Sequence, residues 1–262
     1  MYSILPFEPR RSIPLVSAHL LGQVEFEVCL ALQQRLVYET TGRDDGHVTL
    51  LICEHPATIT VGRHGSRGDI QSATAAGGDA LGRRRGGQIA DRPLDVRWVN
   101  RGGPAIVHGP GQLAVYPIVS LGWCGWTVGE YLDRLETGLH DALVEGGFAV
   151  QRQPGHRGLW GRTGQVATIG VAVKSWVSYF GAYVNVSPAM QHVRLVTSDP
   201  VRKSPASALV VEHGRPVRMA GVRERVVRNL CQALGAANVH HHSGHALLPR
   251  PSTSSPRSAR VG

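Results

Sequence analysis

The chain has few of the residues that build redox, metal or membrane-spanning structures. It contains four cysteines among 262 residues, and they stand far apart without a CxxC spacing. Cysteines so widely separated indicate neither a zinc site nor a disulfide framework. No stretch approaches the ~18 consecutive apolar residues of a membrane-spanning helix. We therefore expect no metal, no cofactor and no membrane association. The thiols, which suit a reducing compartment, are Cys29, Cys53, Cys124 and Cys231.

Lysine is also scarce. The chain has two, Lys174 and Lys203. The formal net charge of +9 therefore comes from arginine, and a charge of that size could indicate a nucleic-acid partner. The arginines are scattered, however, and the one dense run, at 83–85, has no interleaved aromatic residues for base stacking. We expect an acidic protein partner rather than nucleic acid. The first residues lack the pattern of a signal peptide, so we expect a cytoplasmic location.

Apolar periodicity predicts three helices, over 22–39, 127–145 and 221–234. Short apolar pieces between them predict strands. The order of helices and strands favours an α+β fold, with a mixed β-sheet flanked by helices, over a regular βαβ series. The predicted strands cover 49–53, 58–61, 96–99, 112–119, 148–152, 158–160, 165–173, 176–186 and 209–211.

We expect one domain over 21–235, preceded by an N-terminal extension over 1–20. Residues 62–93 are rich in Gly, Ala, Arg and Asp and have little periodicity, which is typical of an insertion or lid loop. His, Ser, Pro and Arg dominate residues 236–262, which predicts a disordered tail. The histidines at 240–245 have metal-ligand residue types, but in such a tail we interpret them as adventitious binders.

Residues 101–121 carry the densest chemistry in the sequence. Arg101 and His108 stand among glycines at 102, 103, 109 and 111, and an alternating apolar run follows. Glycines can adopt positive φ and let a ligand approach the backbone closely. The arginine supplies charge and the histidine a proton-handling group. We interpret this segment as a ligand-binding loop rather than as two ordinary turns.

Three segments together resemble the octanoyltransferase family of lipoate synthesis, whose members move an octanoyl group from acyl carrier protein to a lysine of a lipoyl domain. Their motifs are Glu54-His55-Pro56 with Thr60-Val61-Gly62-Arg63; Arg101-Gly-Gly-Pro-Ala-Ile-Val-His108-Gly-Pro-Gly-Gln112 with Tyr116-Pro117; and Gly158-Leu-Trp160, Ala167-Thr-Ile-Gly170 and Gly181-Ala-Tyr-Val-Asn185-Val186.

The resemblance implies the fold of biotin and lipoate protein ligases. It also implies octanoyl-acyl carrier protein as donor, and as acceptors the lipoyl domains of 2-oxoacid dehydrogenases and the glycine cleavage H protein. An acyl pocket is expected from three stretches of the chain. Its residues are Arg101, Gly102, Gly103, Pro104, Ala105, Ile106, Val107, His108, Thr168, Ile169, Gly170, Gly181, Ala182 and Tyr183.

The sequence departs from the family pattern at its catalytic positions. Counting from Asn185 without gaps places Asp199 where the family has its nucleophilic cysteine. Gln165 stands where the family has the partner lysine, and Phe180 where it has a histidine. A cysteine beside lysine suits acyl transfer, because the ammonium lowers the thiol pKa. An acyl-aspartate would be a mixed anhydride, which lies well above a thioester in energy.

Direct aminolysis remains open to such a site. Asp199 or His108 would take the proton from the incoming lysine amine, and the imidazole has the better-matched unperturbed pKa. Backbone N–H groups at 102–103 or 168–170 could hold the thioester oxyanion. The candidate catalytic residues are therefore Asp199, Gln165 and His108.

Several alternatives stay open. Cys124 is either a displaced nucleophile or a small buried hydrophobe between two tryptophans, and Lys174 or Lys203 could stand in for the absent lysine. The chain could also be a non-catalytic protein that binds lipoyl domains or acyl carrier protein. An ATP-dependent ligase is less favoured, because those relatives also rely on a lysine at position 165.

Overall fold

A computed structural model describes residues 12–70, 94–196 and 205–248 of the chain. Some predicted features lie outside these residues. They are the first eleven residues of the extension, most of the 62–93 loop with its arginine run, Asp199, Lys203 and the tail beyond residue 248.

The described elements follow one another as helices, strands and short helical turns. The strands are β1 (Val16–Gln23), β2 (Val48–Glu54), β3 (Thr58–Val61), β4 (Asp95–Trp98), β5 (Ala105–His108), β6 (Gln112–Ile118), β7 (Gln151–Gln153), β8 (His156–Trp160), β9 (Gln165–Lys174), β10 (Val177–Asn185) and β11 (Val239–Ser243). The helices are α1 (Phe26–Thr41), α2 (Leu121–Cys124), α3 (Val128–Glu145), α4 (Met190–Val193), α5 (Leu209–His213) and α6 (Met219–Leu234).

Eight strands form a large sheet in the order β11-β1-β2-β6-β10-β9-β8-β7. Strand β1 runs parallel to both of its neighbours, and the other pairs are antiparallel. A small sheet, β4-β3-β5, stands beside it. The predicted α+β architecture with a mixed sheet is confirmed. Strands β2 and β3, which only three residues separate along the chain, belong to different sheets.

Helices cover both faces of the large sheet. Helices α3 and α6 pack against each other and share one core with strands of the sheet. Helix α1 packs on the other face, against β6 and β10. The capping box of Thr127 and Glu130 sets the start of α3, because each side chain accepts a hydrogen bond from the other's backbone N–H. The buried leucine stripe predicted for α3 then faces the core.

Three local predictions are wrong. Strand β1 begins at Val16, inside the segment predicted as an extension. Val239–Ser243 forms an edge strand parallel to β1 rather than disordered tail. Its side chains are mostly exposed, so the strand carries no apolar signal. Leu209–His213 is a short helix, although the β-branched valines at 210 and 211 favoured a strand. Among the described residues, no helix is long and apolar enough to cross a membrane.

Candidate active site

Arg101 lies wholly buried between the two sheets and holds the loop that follows it. One terminal nitrogen, Nη1, donates to the carbonyls of Gly102 and Pro104, at 3.0 and 2.9 Å. The other, Nη2, donates to the carbonyl and hydroxyl of Thr60, at 2.9 and 2.8 Å. The two terminal nitrogens therefore fix the 102–104 loop against β3, while the buried Nε has no hydrogen-bond partner.

The hydrogen bonds continue from Thr60 across the molecule. His108 Nε2 lies 2.8 Å from the Thr60 hydroxyl, and His108 Nδ1 lies 2.8 Å from Gln112 Oε1. The Gln112 amide donates to Val107 O and to Asn185 Oδ1, and Asn185 donates to the carbonyl of Ser207. We call Arg101, Thr60, His108, Gln112 and Asn185 the buried relay.

The relay fixes the protonation of His108. The Gln112 oxygen can only accept, so the histidine N–H is on Nδ1, and Nε2 of the neutral ring accepts the proton of the Thr60 hydroxyl. Burial lowers the pKa of His108 well below its usual value, and the charges of His55 and Arg101 add to this effect. The ring is thus neutral, fully buried and bonded at both nitrogens. In this arrangement it positions neighbouring groups and has no free nitrogen to take a proton.

A cavity of about 690 Å³ opens on the other side of the 102–104 loop. It is bounded by that loop, by β9, by the end of β8 and by the first turns of α3. Gly170 is required there, because a Cβ at this position would lie 2.6 Å from the carbonyl oxygen of Gly102. The lining residues include Val128, Leu132, Trp160, Gln165, Ile169 and Val171.

The predicted acyl-pocket residues fall into two groups. Gly102, Gly103, Pro104, Thr168, Ile169 and Gly170 line the cavity. The rest lie behind it. Arg101 and His108 belong to the relay, and β5 buries the intervening residues. His108 borders a second cavity, of about 370 Å³, near α4. The others, which belong to β5 or β10 and do not line the larger cavity, are Ala105, Ile106, Val107, Gly181, Ala182 and Tyr183.

Two polar atoms at one end of the cavity wall have no hydrogen-bond partner. They are Oε1 of Gln165 and Nε1 of Trp160, and both atoms are buried. The Gln165 backbone is held firmly, because its N–H donates to Pro205 O and its carbonyl accepts from Ser207 N–H. Asp199 lies outside the described residues, and the chain resumes at Pro205, beside Gln165. The predicted Asp199–Gln165 pair therefore stays a prediction.

The backbone donors proposed for an oxyanion are partly occupied. The N–H of Gly102 donates to the carbonyl of Val171 at 2.8 Å, which joins the loop to the edge of β9. Of the four glycines expected to take positive φ, Gly103 and Gly111 do so. The loop is thus shaped by glycine as the sequence suggested, while Gly102 is not available as a donor.

No cysteine lines the larger cavity. All four cysteines lie in described residues and are buried. Cys124 belongs to the core beside Trp126, and burial raises its thiol pKa to about 12. That environment fits the structural alternative for Cys124 rather than the displaced nucleophile. Lys174 is at the exposed end of β9.

Sequence reasoning missed several residues that build the site. Thr60 is the link between Arg101 and His108, and Trp160 supplies an unpartnered N–H. Both belong to the motif segments, so the signal was present but not used. Val128 and Leu132 line the cavity from α3. Their helical stripe indicated burial, but the pattern could not separate contact with the core from contact with a cavity.

Comparison with solved structures defines the class of fold. The chain superimposes on lipoate-protein ligase A bound with ATP with a TM-score of 0.63, at 11% identity, over 88% of this chain and 90% of that one. The bipartite lipoate protein ligase of Thermoplasma acidophilum, studied with its E2 lipoyl domain, gives a TM-score of 0.59 at 11% identity, over 88% of each chain. The fold is that of the lipoate protein ligases.

Sequence comparison then gives the family. Residues 25–231 match the lipoyl protein ligase A/B catalytic domain. The octanoyltransferase of Geobacter metallireducens is 34% identical over 79% of this chain and 87% of its own length. That of Chloroflexus aggregans is 31% identical over 82% of this chain and 93% of its own length. The chain belongs to the octanoyltransferase family, a family of acyl-group transferases.

Proposed function

We propose that this protein transfers an octanoyl or lipoyl group from acyl carrier protein to a lysine of lipoyl domains, with the acyl chain in the 690 Å³ cavity. The acceptors would be the lipoyl domains of 2-oxoacid dehydrogenases and the glycine cleavage H protein. The observation that carries this proposal is the convergence of two motif segments, 102–104 and 168–170, on one cavity. The octanoyltransferase relatives supply the reaction class.

The cavity wall suits a hydrocarbon chain. Val128, Leu132, Ile169 and Val171 supply apolar surface, and the glycines leave room beside the backbone. Burial of a methylene group is worth about 0.8 kcal/mol, so a buried octanoyl chain would gain roughly 5 kcal/mol. The gain is enough to select an acyl chain of medium length over a short one.

The chemistry we propose is a single displacement. The lysine amine attacks the thioester carbonyl carbon, the C–N bond forms, and the C–S bond breaks. The carrier thiolate leaves, and the amine proton passes to a base before it reaches the thiolate. No acyl-cysteine is formed, because the cavity wall holds no thiol.

Asp199 is the base in this proposal, and burial would have to raise its pKa from the ordinary ~3.9. His108 acts as a positioning residue, because both of its nitrogens are engaged in the relay. Gln165 would face the reacting groups as an uncharged acceptor. Its unpartnered Oε1 is suited to accept a hydrogen bond from the attacking amine.

A second candidate function is the binding of acyl carrier protein or lipoyl domains without turnover. The absence of cysteine and lysine from the described residues that line the cavity favours it. ATP-dependent ligation is a third reading. It would show as acylation of the lipoyl domain by free octanoate that requires ATP.

The test is to incubate the protein with octanoyl-acyl carrier protein and unmodified lipoyl domain, and then to weigh the domain by mass spectrometry. We expect an octanoyl mass gain that grows with enzyme concentration. Leu132→Trp should fill the cavity and abolish the gain. Val144→Trp, on the exposed side of the same helix, is the matched control and should retain it. No gain at high enzyme concentration would exclude transfer from acyl carrier protein and leave the binding function and ATP-dependent ligation.

A further inference from the structure

A cluster of soft donor atoms lies on the α1 face of the sheet, away from the acyl cavity. Cys29 belongs to α1, Cys53 to β2, and His55 follows that strand. Cys29 Sγ lies 4.0 Å from Cys53 Sγ, and Cys53 Sγ lies 3.6 Å from His55 Nε2. The three donor atoms all lie within 4.8 Å of one another, and all three residues are buried.

Two of these separations are close to the edges of a tetrahedral zinc site. Zn–S bonds are about 2.3 Å and Zn–N bonds about 2.0 Å, so two sulfurs on one ion lie about 3.8 Å apart and a sulfur and a nitrogen about 3.5 Å. The pair distances of 4.0 and 3.6 Å are close to these values. An ion could therefore sit among the three atoms with small side-chain movements.

Neighbouring groups already orient the donors. His55 Nδ1 donates to the carbonyl of Val24 at 2.7 Å, which leaves Nε2 as the unprotonated nitrogen that a metal requires. The Gln33 amide points to the Cys29 sulfur at 3.8 Å, and such a contact stabilises a thiolate. The same Gln33 accepts the backbone N–H of Phe180, which holds its side chain in place.

Tyr116 occupies the fourth side of the cluster. Its hydroxyl lies 2.6 Å from His55 Nε2, and the ring is fully buried. A bound metal would displace the hydrogen bond that now joins these two atoms, and the phenol would keep its proton. The phenol oxygen would then stand beside the ion as the available fourth ligand.

The net charge of the ligands indicates which kind of ion fits the site. A wholly buried site tolerates little net charge, and two thiolates with a neutral imidazole balance a divalent cation. Thiolate and imidazole ligands in a four-coordinate closed site are the donor set of structural zinc. We propose that Cys29, Cys53 and His55 bind one structural zinc ion, with the Tyr116 hydroxyl on the fourth side.

The site would tie α1 to the sheet. Cys53 and Cys29 come from different elements and are too far apart in sequence for a zinc motif, which is why the spacing gave no signal. Because the donors are enclosed, the ion would serve the fold rather than bind substrate.

The first experiment measures zinc in the untagged protein grown with zinc. Histidines at the exposed edge of β11 could also hold metal, so the protein should carry His240→Asn, His242→Asn and His245→Asn and be washed with chelator. We expect close to one zinc per chain. Cys53→Ser should reduce this to near zero. Cys231→Ser, at another buried cysteine outside the cluster, should leave it unchanged.

A second measurement needs no cysteine variant, so its result does not depend on whether such a variant folds. Cobalt refolded into the otherwise unaltered protein should give the near-ultraviolet absorption of thiolate-to-cobalt charge transfer, and X-ray absorption at the zinc edge should show two sulfurs and one imidazole nitrogen. Zinc bound through nitrogen and oxygen only, no retained zinc, or a Cys29–Cys53 disulfide in the purified protein would each overturn the proposal.

Discussion

The buried relay and the larger cavity lie on opposite sides of the 102–104 loop, and they differ in how their polar atoms are satisfied. In the relay, one hydrogen bond follows another from Arg101 to Asn185, and Arg101 Nε is the one buried side-chain atom of these residues without a partner. In the cavity wall, Gln165 Oε1 and Trp160 Nε1 have no partner. The arginine and histidine of the 101–108 motif therefore build the scaffold, while glycine backbone and apolar side chains line the cavity together with Arg63, His64, His156 and Arg157.

The largest effect should follow loss of the arginine that begins the relay. Arg101→Met removes the guanidinium donors to the Thr60 hydroxyl and to the carbonyls of Thr60, Gly102 and Pro104, and we expect a loss of about 3 kcal/mol or more in the free energy of unfolding. Urea unfolding measures it. Arg97→Met, at an exposed arginine, should change stability by no more than about 0.5 kcal/mol. Equal losses would mean that Arg101 does not hold the loop.

Two buried glutamines give a matched test of the comparison itself. Gln112→Met removes the acceptor of His108 and the donor to Asn185, so we expect a loss of about 2 kcal/mol. Gln165→Met removes an acceptor that has no partner, so its stability should stay within about 0.5 kcal/mol of wild type or rise. A Gln165 variant as unstable as the Gln112 variant would break the distinction between the two regions.

A smaller effect concerns the dependence of stability on pH. The pKa of His108 is lowered in the folded protein, so below its unfolded value near ~6.5 the unfolded chain binds the extra proton first. Stability must then fall as pH decreases from about 6.5 towards the folded pKa. His108→Asn should flatten this fall. The histidines whose pKa is also lowered remain in both proteins, and they are His19, His47, His55 and His245.

Urea midpoints at a series of pH values between 4 and 8 would measure that slope. The readout is the difference between wild type and variant, so a uniform loss of stability in the variant does not affect it. Parallel curves would show that His108 is not held neutral by burial.

Much of the fold could be predicted where local patterns decide it. Helix α3 has a cap and an apolar stripe, and β9 and β10 are long apolar runs, so their existence followed from periodicity. Strand β11 could not be predicted, because an edge strand with exposed histidines carries no apolar alternation and depends on pairing with β1. Tertiary packing likewise overrode strand propensity at 209–211.

The candidate site was predicted in part for a similar reason. The motif segments showed which residue types come together, and 102–104 and 168–170 do meet at one cavity. They could not show which side of the loop each side chain faces, because that depends on contacts with segments that are distant in the sequence. Arg101 and His108 therefore looked like ligand-binding groups, and the structure shows them bonded to the protein.

The most direct test of the account is the intact mass of the protein quenched in denaturant during turnover. With octanoyl-acyl carrier protein and unmodified lipoyl domain both present, the account predicts that the lipoyl domain gains an octanoyl group while this chain stays unmodified. A thioester adduct on any of its cysteines, formed and discharged at the rate of transfer, would contradict direct displacement in the cavity.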